Sequence, residues 1–361
     1  MSGTVMITAG GTGGHVFPGL AVAAKLLSRG WHVYWLGTKG GMEASLVRQH
    51  GLEFESVSFR GIRGKGWQVL MLGPLALLAA CWQSAKIIRR RAPDVVLGLG
   101  GFASFPGALA GVALQKPLVL HDANAIAGLA NRVLAYGADR ILLGFPNAMR
   151  GRHRPKTEWV GNPLRDSIEH MPPPESRFAG RHGRLSLLVV GGSLGAAALN
   201  RCVPEALRLM IPAASRPRVV HQAGASHIDG LKDAYARADV EAECVAFIED
   251  MAARYAEADV VLCRGGAITV TELAAVGLGS IIVPLPGAIA DEQRANAQFL
   301  VDAKAAVLMG QSELTPEALA ARLESFTRES LLAMAIAARS VARVNAADRV
   351  ADACIALGPS A

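Results

Sequence analysis

The chain has 361 residues, 51% of them hydrophobic, with 37 Lys and Arg against 30 Asp and Glu for a formal charge of +7. That length favours two domains, and the apolar content suffices for two cores. The basic balance points to an anionic partner: nucleic acid, a phosphorylated small molecule or an acidic membrane surface. With aromatics at only 5% and no basic stripe interleaved with them, nucleic acid is disfavoured. The five cysteines, Cys81, Cys202, Cys244, Cys263 and Cys354, form no CxxC pair and read as reduced core residues of a cytoplasmic protein. The start carries no basic, apolar leader of the secretory kind, and no run of 18 apolar residues reads as a membrane span.

The first element is an apolar run from Val5 that ends in Gly10-Gly-Thr-Gly-Gly-His15 and enters a helical pattern through Leu20, Val22, Ala24 and Leu26. Half a chain later, Leu187 to Val190 leads into Gly191-Gly-Ser-Leu-Gly195 and a second helical pattern. Strand, glycine turn and helix, written twice, predict two nucleotide-type α/β domains. Glycines let backbone approach a ligand closely, and the free N–H groups of a helix start attract anions.

Trp31 to Leu36 reads as the next strand. A dinucleotide fold places an acid near its end to hold the ribose, and there is none between Tyr34 and Thr38. The corresponding strand of the second unit, Arg218 to Gln222, also lacks an acid. Neither turn fits GxGxxG, and no GxxxxGK[ST] is present, which disfavours NAD, FAD and a P-loop triphosphate site.

Residues 66–91 are an apolar run interrupted by Gly73 and Pro74. Trp67 and Trp82 bracket it, and Arg60, Arg63, Lys65, Lys86 and Arg89 to Arg91 flank it. Two readings stand: a mostly buried helix with a solvated basic end, or a segment resting in the lipid headgroup region. Asp94 to Leu97 is a strand followed by a third glycine loop, Gly98 to Phe102; Pro117 to Leu120 is another, ending in His121-Asp-Ala-Asn124. Polar residues at the carboxyl end of a parallel strand sit where open α/β sheets bind ligands, although strand ends also need polar partners of their own. Arg140 to Leu143 completes the first set, and the Pro-rich, charged stretch after Val160 to Arg165 marks a boundary near residue 164. The second set continues with Glu243 to Ile248, Asp259 to Cys263 and Ser280 to Val283, and an Ala-rich helical tail occupies 315–357. Domains are expected at 1–163 and 164–340, with 341–361 as a helix packing back toward the first.

In combination, GGTGGHVFPGLA (Gly10–Ala21), GLGGF (Gly98–Phe102), IAGLANRVLA (Ile126–Ala135), VGNPLR (Val160–Arg165), GGSLGA (Gly191–Ala196), the Ala267–Glu272 helix start, Gln293 and Asn296 are specific. Over about residues 5–350 the chain resembles the bacterial transferases that add N-acetylglucosamine from UDP-N-acetylglucosamine to lipid I, forming lipid II for peptidoglycan. The resemblance implies two Rossmann-like domains of the GT-B type facing across a cleft, without metal or organic cofactor. It assigns the donor to the second domain: Ser193 and the Gly191–Gly195 amides at the diphosphate, Ile248 at the uracil, Ala267, Ile268, Thr269, Val270 and Thr271 at the pyrophosphate, and Glu272 at the ribose. Gln293 and Asn296 are expected on the sugar, Arg165 against the nucleotide, and Thr12, Gly13, Gly14 and Asn124 on the first domain's side. It also implies that 66–91 docks on an anionic membrane, placing the protein peripherally on the cytoplasmic face.

The implied reaction is an inverting transfer in which the C4 hydroxyl of the N-acetylmuramoyl unit attacks the anomeric carbon and UDP leaves. Loop amides and helix starts can stabilise the leaving charge. The hydroxyl needs a base, for which His15 and Asp122 are the candidates. Several cleft positions depart from the family pattern. His121-Asp-Ala-Asn124 stands for His-Glu-Gln-Asn, Gly265 for Ser, and Gly287, Ala290 and Glu292 for His, Asp and His. Another UDP-sugar enzyme of the same fold, a lipid glycosyltransferase or UDP-N-acetylglucosamine 2-epimerase, and a non-catalytic nucleotide-sugar-binding relative are the alternatives.

Overall fold

The computed structural model describes residues 2–11, 13–59, 67–149, 156–192, 195–287 and 291–359, with backbone only at 42 and 67–72. It divides into two compact units, residues 1–165 with 343–361, and residues 166–342.

The first unit alternates strand and helix: β1 (Thr4–Thr8), α1 (Gly13–Ser28), β2 (His32–Thr38), α2 (Met42–Gln49), β3 (Glu53–Val57), α3 (Trp67–Arg91), β4 (Val95–Gly98), α4 (Ser104–Ala113), β5 (Leu118–Asp122), α5 (Leu129–Leu134), β6 (Arg140–Leu143) and β7 (Thr157–Trp159). The seven strands pair in the order β3-β2-β1-β4-β5-β6-β7, and every pairing is parallel. A parallel sheet buried on both faces needs apolar residues pointing both ways. Val5, Ile7, Val95 and Leu97 accordingly meet one helical layer, and Met6, Val96, Leu118 and Leu120 the other. The strand order reverses at β1, so its carboxyl end and that of β4 diverge into a crevice, the usual ligand position of such sheets. The Thr8↔Gly98 register places the first and third glycine loops side by side there.

The second unit holds α6 (Asp166–Glu169), α7 (Pro174–Phe178), β8 (Ser186–Val190), α8 (Ala197–Leu209), β9 (Arg218–Gln222), α9 (Ile228–Ala238), β10 (Glu243–Val245), α10 (Met251–Glu257), β11 (Val260–Cys263), α11 (Ala267–Val276), β12 (Gly279–Ile282), α12 (Glu292–Asp302), β13 (Ala306–Leu308), α13 (Pro316–Glu324) and α14 (Arg328–Ser340). Its parallel order β10-β9-β8-β11-β12-β13 repeats the reversal at β8. The Val190↔Cys263 register brings Gly191 and Gly192 beside the turn that leads into α11. The chain then returns to the first unit as α15 (Ala346–Ala356), whose Val350, Ala351 and Cys354 enter the core beside Val22 and Leu26. Arg29 bonds Asp348 at 2.6 Å and Asp352 at 2.5 Å, fastening α15 to α1.

Three local features differ from the sequence expectation. α3 runs unbroken through Gly73 and Pro74. One helical hydrogen bond is forfeited at the proline, but Ala80, Ile87 and Ile88 bury against the sheet and hold the helix. β10 stops at Val245 rather than Ile248, because Asp250 caps α10 through the Ala253 N–H at 3.0 Å and the chain must turn to reach it. The edge strands β3, β7 and β13 lie outside the expected set; each has five residues or fewer and depends on its neighbour for pairing.

Candidate functional site

In the first unit Gly13, Gly14 and His15 lie at the β1/β4 crevice. Gly13 and Gly14 open α1, and His15 follows in its first turn. His15 Nδ1 lies 3.0 Å from the Leu99 carbonyl. A carbonyl can only accept, so Nδ1 carries the proton in the neutral ring and Nε2 keeps its lone pair, the form a general base needs. Burial lowers the pKa of His15 below 6.5, with the Leu99 hydrogen bond opposing the shift. Neutral imidazole therefore predominates at pH 7.

Asp122 ends β5 and is 2% exposed. Its Oδ1 accepts from the Asn124 N–H at 3.1 Å and its Oδ2 from Asn131 Nδ2 at 3.0 Å. Burial raises its pKa, while the Asn131, Asn124 and Gly128 hydrogen bonds lower it. Both oxygens are committed to the loop that presents Asn124, an arrangement that holds a loop rather than one that offers a free base. Asn131 also approaches His15: a Cβ at Gly100 would stand 3.3 Å from His15 Cε1 and 3.4 Å from Asn131 Nδ2. His121 is fully buried and donates from Nε2 to the Gly161 carbonyl at 2.9 Å; burial pushes its pKa down to about 4. It pins the VGNPLR segment rather than facing a ligand. Arg165 lies with its guanidinium 5.6 Å from the centre of the Phe17 ring. Thr12 lies outside the described residues.

In the second unit, α11 starts at Ala267 after Gly266, and the Ala267–Thr271 amides include those a helix leaves without internal partners. Glu272, one turn further, is buried and accepts from the Tyr255 hydroxyl at 3.0 Å. Ile248 sits in the turn between β10 and α10. The Gly191–Gly195 loop is braced from below: Gln222 Nε2 donates to the Gly192 carbonyl at 3.1 Å, and Asn200 Nδ2 to the Ala223 carbonyl at 3.1 Å. His221, held near 3 by burial, donates from Nε2 to Asn200 Oδ1 at 3.1 Å and accepts at Nδ1 from the Tyr235 hydroxyl at 2.9 Å. Ser193 lies outside the described residues.

Arg264 reaches across to the β12 end, donating to the Val283 carbonyl at 3.1 Å and to Gln311 at 2.8 Å. Gln293 Oε1 accepts from the Leu285 N–H at 2.9 Å, which leaves its Nε2 to donate elsewhere. Asn296 is fully buried and donates to the Gly265 carbonyl at 3.1 Å, so it braces the loop and does not face solvent. A Cβ at Gly265 would overlap the Gln293 carbonyl, so the loop and α12 approach only because that side chain is missing. Sequence spacing gave no sign of Asn131, Tyr255 or Leu99, whose roles depend on contacts 9, 17 and 84 residues distant in the chain.

Residues 5–143 match the glycosyltransferase family 28 N-terminal domain and residues 186–350 its C-terminal domain. The chain belongs to glycosyltransferase family 28. A relative from Nitrosospira multiformis, named UDP-N-acetylglucosamine--N-acetylmuramyl-(pentapeptide) pyrophosphoryl-undecaprenol N-acetylglucosamine transferase, is 53% identical over 355 residues, covering 98% of this chain and 99% of its own. A relative of the same name from Ralstonia nicotianae is 54% identical over 356 residues, covering 98% and 96%. The crystal structure of Acinetobacter baumannii MurG superposes with a TM-score of 0.82 at 36% identity, covering 98% of this chain and 99% of that one. The glycosyltransferase of kitacinnamycin, at 17% identity and a TM-score of 0.72, shares the fold. In family 28 terms, the two crevices fall one in each matched domain.

Proposed function

We propose that this chain transfers N-acetylglucosamine from UDP-N-acetylglucosamine to lipid I, the undecaprenyl-pyrophosphoryl N-acetylmuramoyl pentapeptide, giving lipid II and UDP. The observation that carries the reading is the likeness, over almost the whole length of both chains, to relatives bearing that name. The second unit takes the donor. The Gly191–Gly195 amides and the α11 start receive the diphosphate, where a helix N-terminus offers roughly half a positive charge. The Ile248 backbone meets the uracil, Glu272 accepts from the ribose hydroxyls, and Gln293 Nε2 donates to the sugar. Asn296 serves indirectly by fixing Gly265. The first unit takes the acceptor with Gly13, Gly14 and Asn124.

In the reaction the acceptor C4 oxygen forms a bond to the anomeric carbon as the bond from that carbon to the diphosphate oxygen breaks. The hydroxyl proton passes to His15 Nε2, and the electron pair leaves with UDP. A base placed in this way supports inversion at the anomeric carbon. Asp122 holds the Asn124 loop for this step.

Membrane association is supported by α3. Leu75, Leu78 and Trp82 are exposed at 64%, 66% and 66%, and Lys86 lies 5.8 Å from the Trp82 ring. Leu129, Val133 and Tyr136 add a second exposed apolar group on α5 and just beyond it. Both helices pack on the same face of the sheet, around one core. Arg90 and Arg91 pair with Glu55 and Glu53, which leaves Lys86 and Arg89 as the cations nearer Trp82 in sequence to attract anionic headgroups. Among the described residues no helix is long and apolar enough to cross a membrane, so the reading is surface docking.

The deciding experiment measures UDP release from UDP-N-acetylglucosamine with and without a soluble lipid I analogue. Release that depends on the analogue is expected; donor binding without release would refute transfer and favour a binding protein.

A further inference from the structure

Glu43 is a fully buried carboxylate that no step of the transfer uses. It is the second residue of α2. Its Oε1 accepts from the Thr38 N–H at 2.9 Å and from the Thr38 hydroxyl at 2.6 Å. Its Oε2 turns the other way and accepts from the Gly11 N–H at 3.4 Å. Glycines make the room: a Cβ at Gly10 would come within 2.7 Å of Oε1, one at Gly37 within 2.8 Å of Cγ, and one at Gly41 would overlap the carboxylate. An ionised carboxylate withdrawn from water costs several kcal/mol unless its oxygens are met by donors. Here donors come from two segments, the end of β2 and the first glycine loop. Gly11 has φ +96°, a conformation other residues rarely adopt, so the loop there must be held in place rather than settle by default. Two residues on, the same loop becomes the first turn of α1, which carries His15.

We propose that Glu43 is a positioning residue of the transfer: through Gly11 it fixes the first glycine loop against β2 and so sets where His15 Nε2 meets the acceptor hydroxyl. The inference rests on the reading of His15 as base given above. Misplacing a reacting group by about 1 Å costs on the order of a hundredfold in rate, so a small loop shift is enough to register.

Glu43→Gln separates the two contacts. The amide oxygen can keep both Thr38 donors, but the amide nitrogen then faces the Gly11 N–H, donor against donor. The expected result is a kcat reduced roughly ten- to a hundredfold with the KM for UDP-N-acetylglucosamine within about twofold. Thr38→Val is the companion: it removes one donor from Oε1 and leaves the Gly11 contact, so Tm falls while kcat stays within about twofold. A wild-type kcat in Glu43→Gln would overturn the proposal, as would equal kcat losses in both variants at matched losses of Tm. If Glu43→Gln does not fold, Gly41→Ala decides, because its methyl lands on the Glu43 carboxylate from outside the glycine loop and removes no hydrogen-bonding group; an unchanged kcat there overturns the proposal. The unmodified protein is run in the same assay. Absence of acceptor-dependent UDP release from it would refute the transfer reading, whereas normal release from both it and Glu43→Gln refutes the role of Glu43 alone.

Discussion

Replacing His15 by asparagine tests the base assignment with little structural disturbance. Among the described residues the imidazole hydrogen-bonds through Nδ1, to the Leu99 carbonyl at 3.0 Å. An asparagine amide nitrogen can occupy nearly the same place and donate to the same carbonyl, so the loss of stability is held under about 1 kcal/mol. What disappears is the Nε2 lone pair. A positioned general base contributes about 10²- to 10⁴-fold in rate, equivalent to roughly 2.7–5.5 kcal/mol of barrier. His15→Asn is therefore expected to lose at least about a hundredfold in kcat while the donor KM, set in the other unit, moves less than about twofold. UDP release against a soluble lipid I analogue, with each substrate varied in turn, measures both. The pH profile gives a second reading. The neutral ring is the active form, so kcat/KM is full above the His15 pKa and lost as pH falls through it. Burial places that pKa below 6.5, so the acid limb should bend below 6.5 and the profile should be flat across neutrality. A variant within about threefold of wild-type kcat, or an acid limb centred above 6.5, would refute His15 as base.

Two further outcomes follow from the same geometry. His121 and His221 are neutral in the fold, with pKa values lowered by burial to about 4 and about 3, and in the unfolded chain they titrate near 6.5. The unfolded state thus binds more protons below 6.5, and stability, complete above that pH, is lost on acidification. The urea midpoint should decline between pH 7 and 5, above the carboxylate range; a constant midpoint would contradict the burial of both rings. Converting Leu75, Leu78 and Trp82 together to serine should weaken binding to vesicles rich in anionic lipid by roughly tenfold or more, while UDP affinity stays constant. Undiminished vesicle binding in a sedimentation assay would remove α3 as the docking surface.

The pattern of the two glycine units was enough to expose the fold because β1, β4 and β8 are near-continuous apolar runs that lead into glycine loops. Both β1/β4 and β8/β11 crevices follow from that pattern. The edge strand β3 escaped because a strand with one neighbour need not be apolar: its Glu53 and Glu55 serve as partners for Arg91 and Arg90. The same pairing shows why counting cations around residues 66–91 overstated the free charge. Within α3, Leu77 packs against the core, and helical phase exposes Leu75, Leu78 and Trp82. At the site, residue type was legible and job was not. Asp122 and His121 stand where ligand contacts are expected, yet one ties down its own loop and the other a distant carbonyl. Only the partner atoms, Asn131 Nδ2 and the Gly161 oxygen, reveal this.

Among the departures from the family pattern in the second unit, the one at Gly265 has a physical basis in the packing around it. This glycine has no positive φ that would demand it; what demands it is space, since any side chain would strike the Gln293 carbonyl. Asn296, one helical turn along, closes the contact by donating to the Gly265 carbonyl. The loop before α11 and the first turn of α12, which carries Gln293, are therefore packed as one piece. A serine at 265 would have to move the start of α12, and Leu285, held by Gln293 Oε1, would move with it. The altered residues at 287 and 292 lie between or beside these anchors in sequence. The replacement at 265 is thus no isolated loss of a hydroxyl; it is what lets the start of α12 close on the loop before α11.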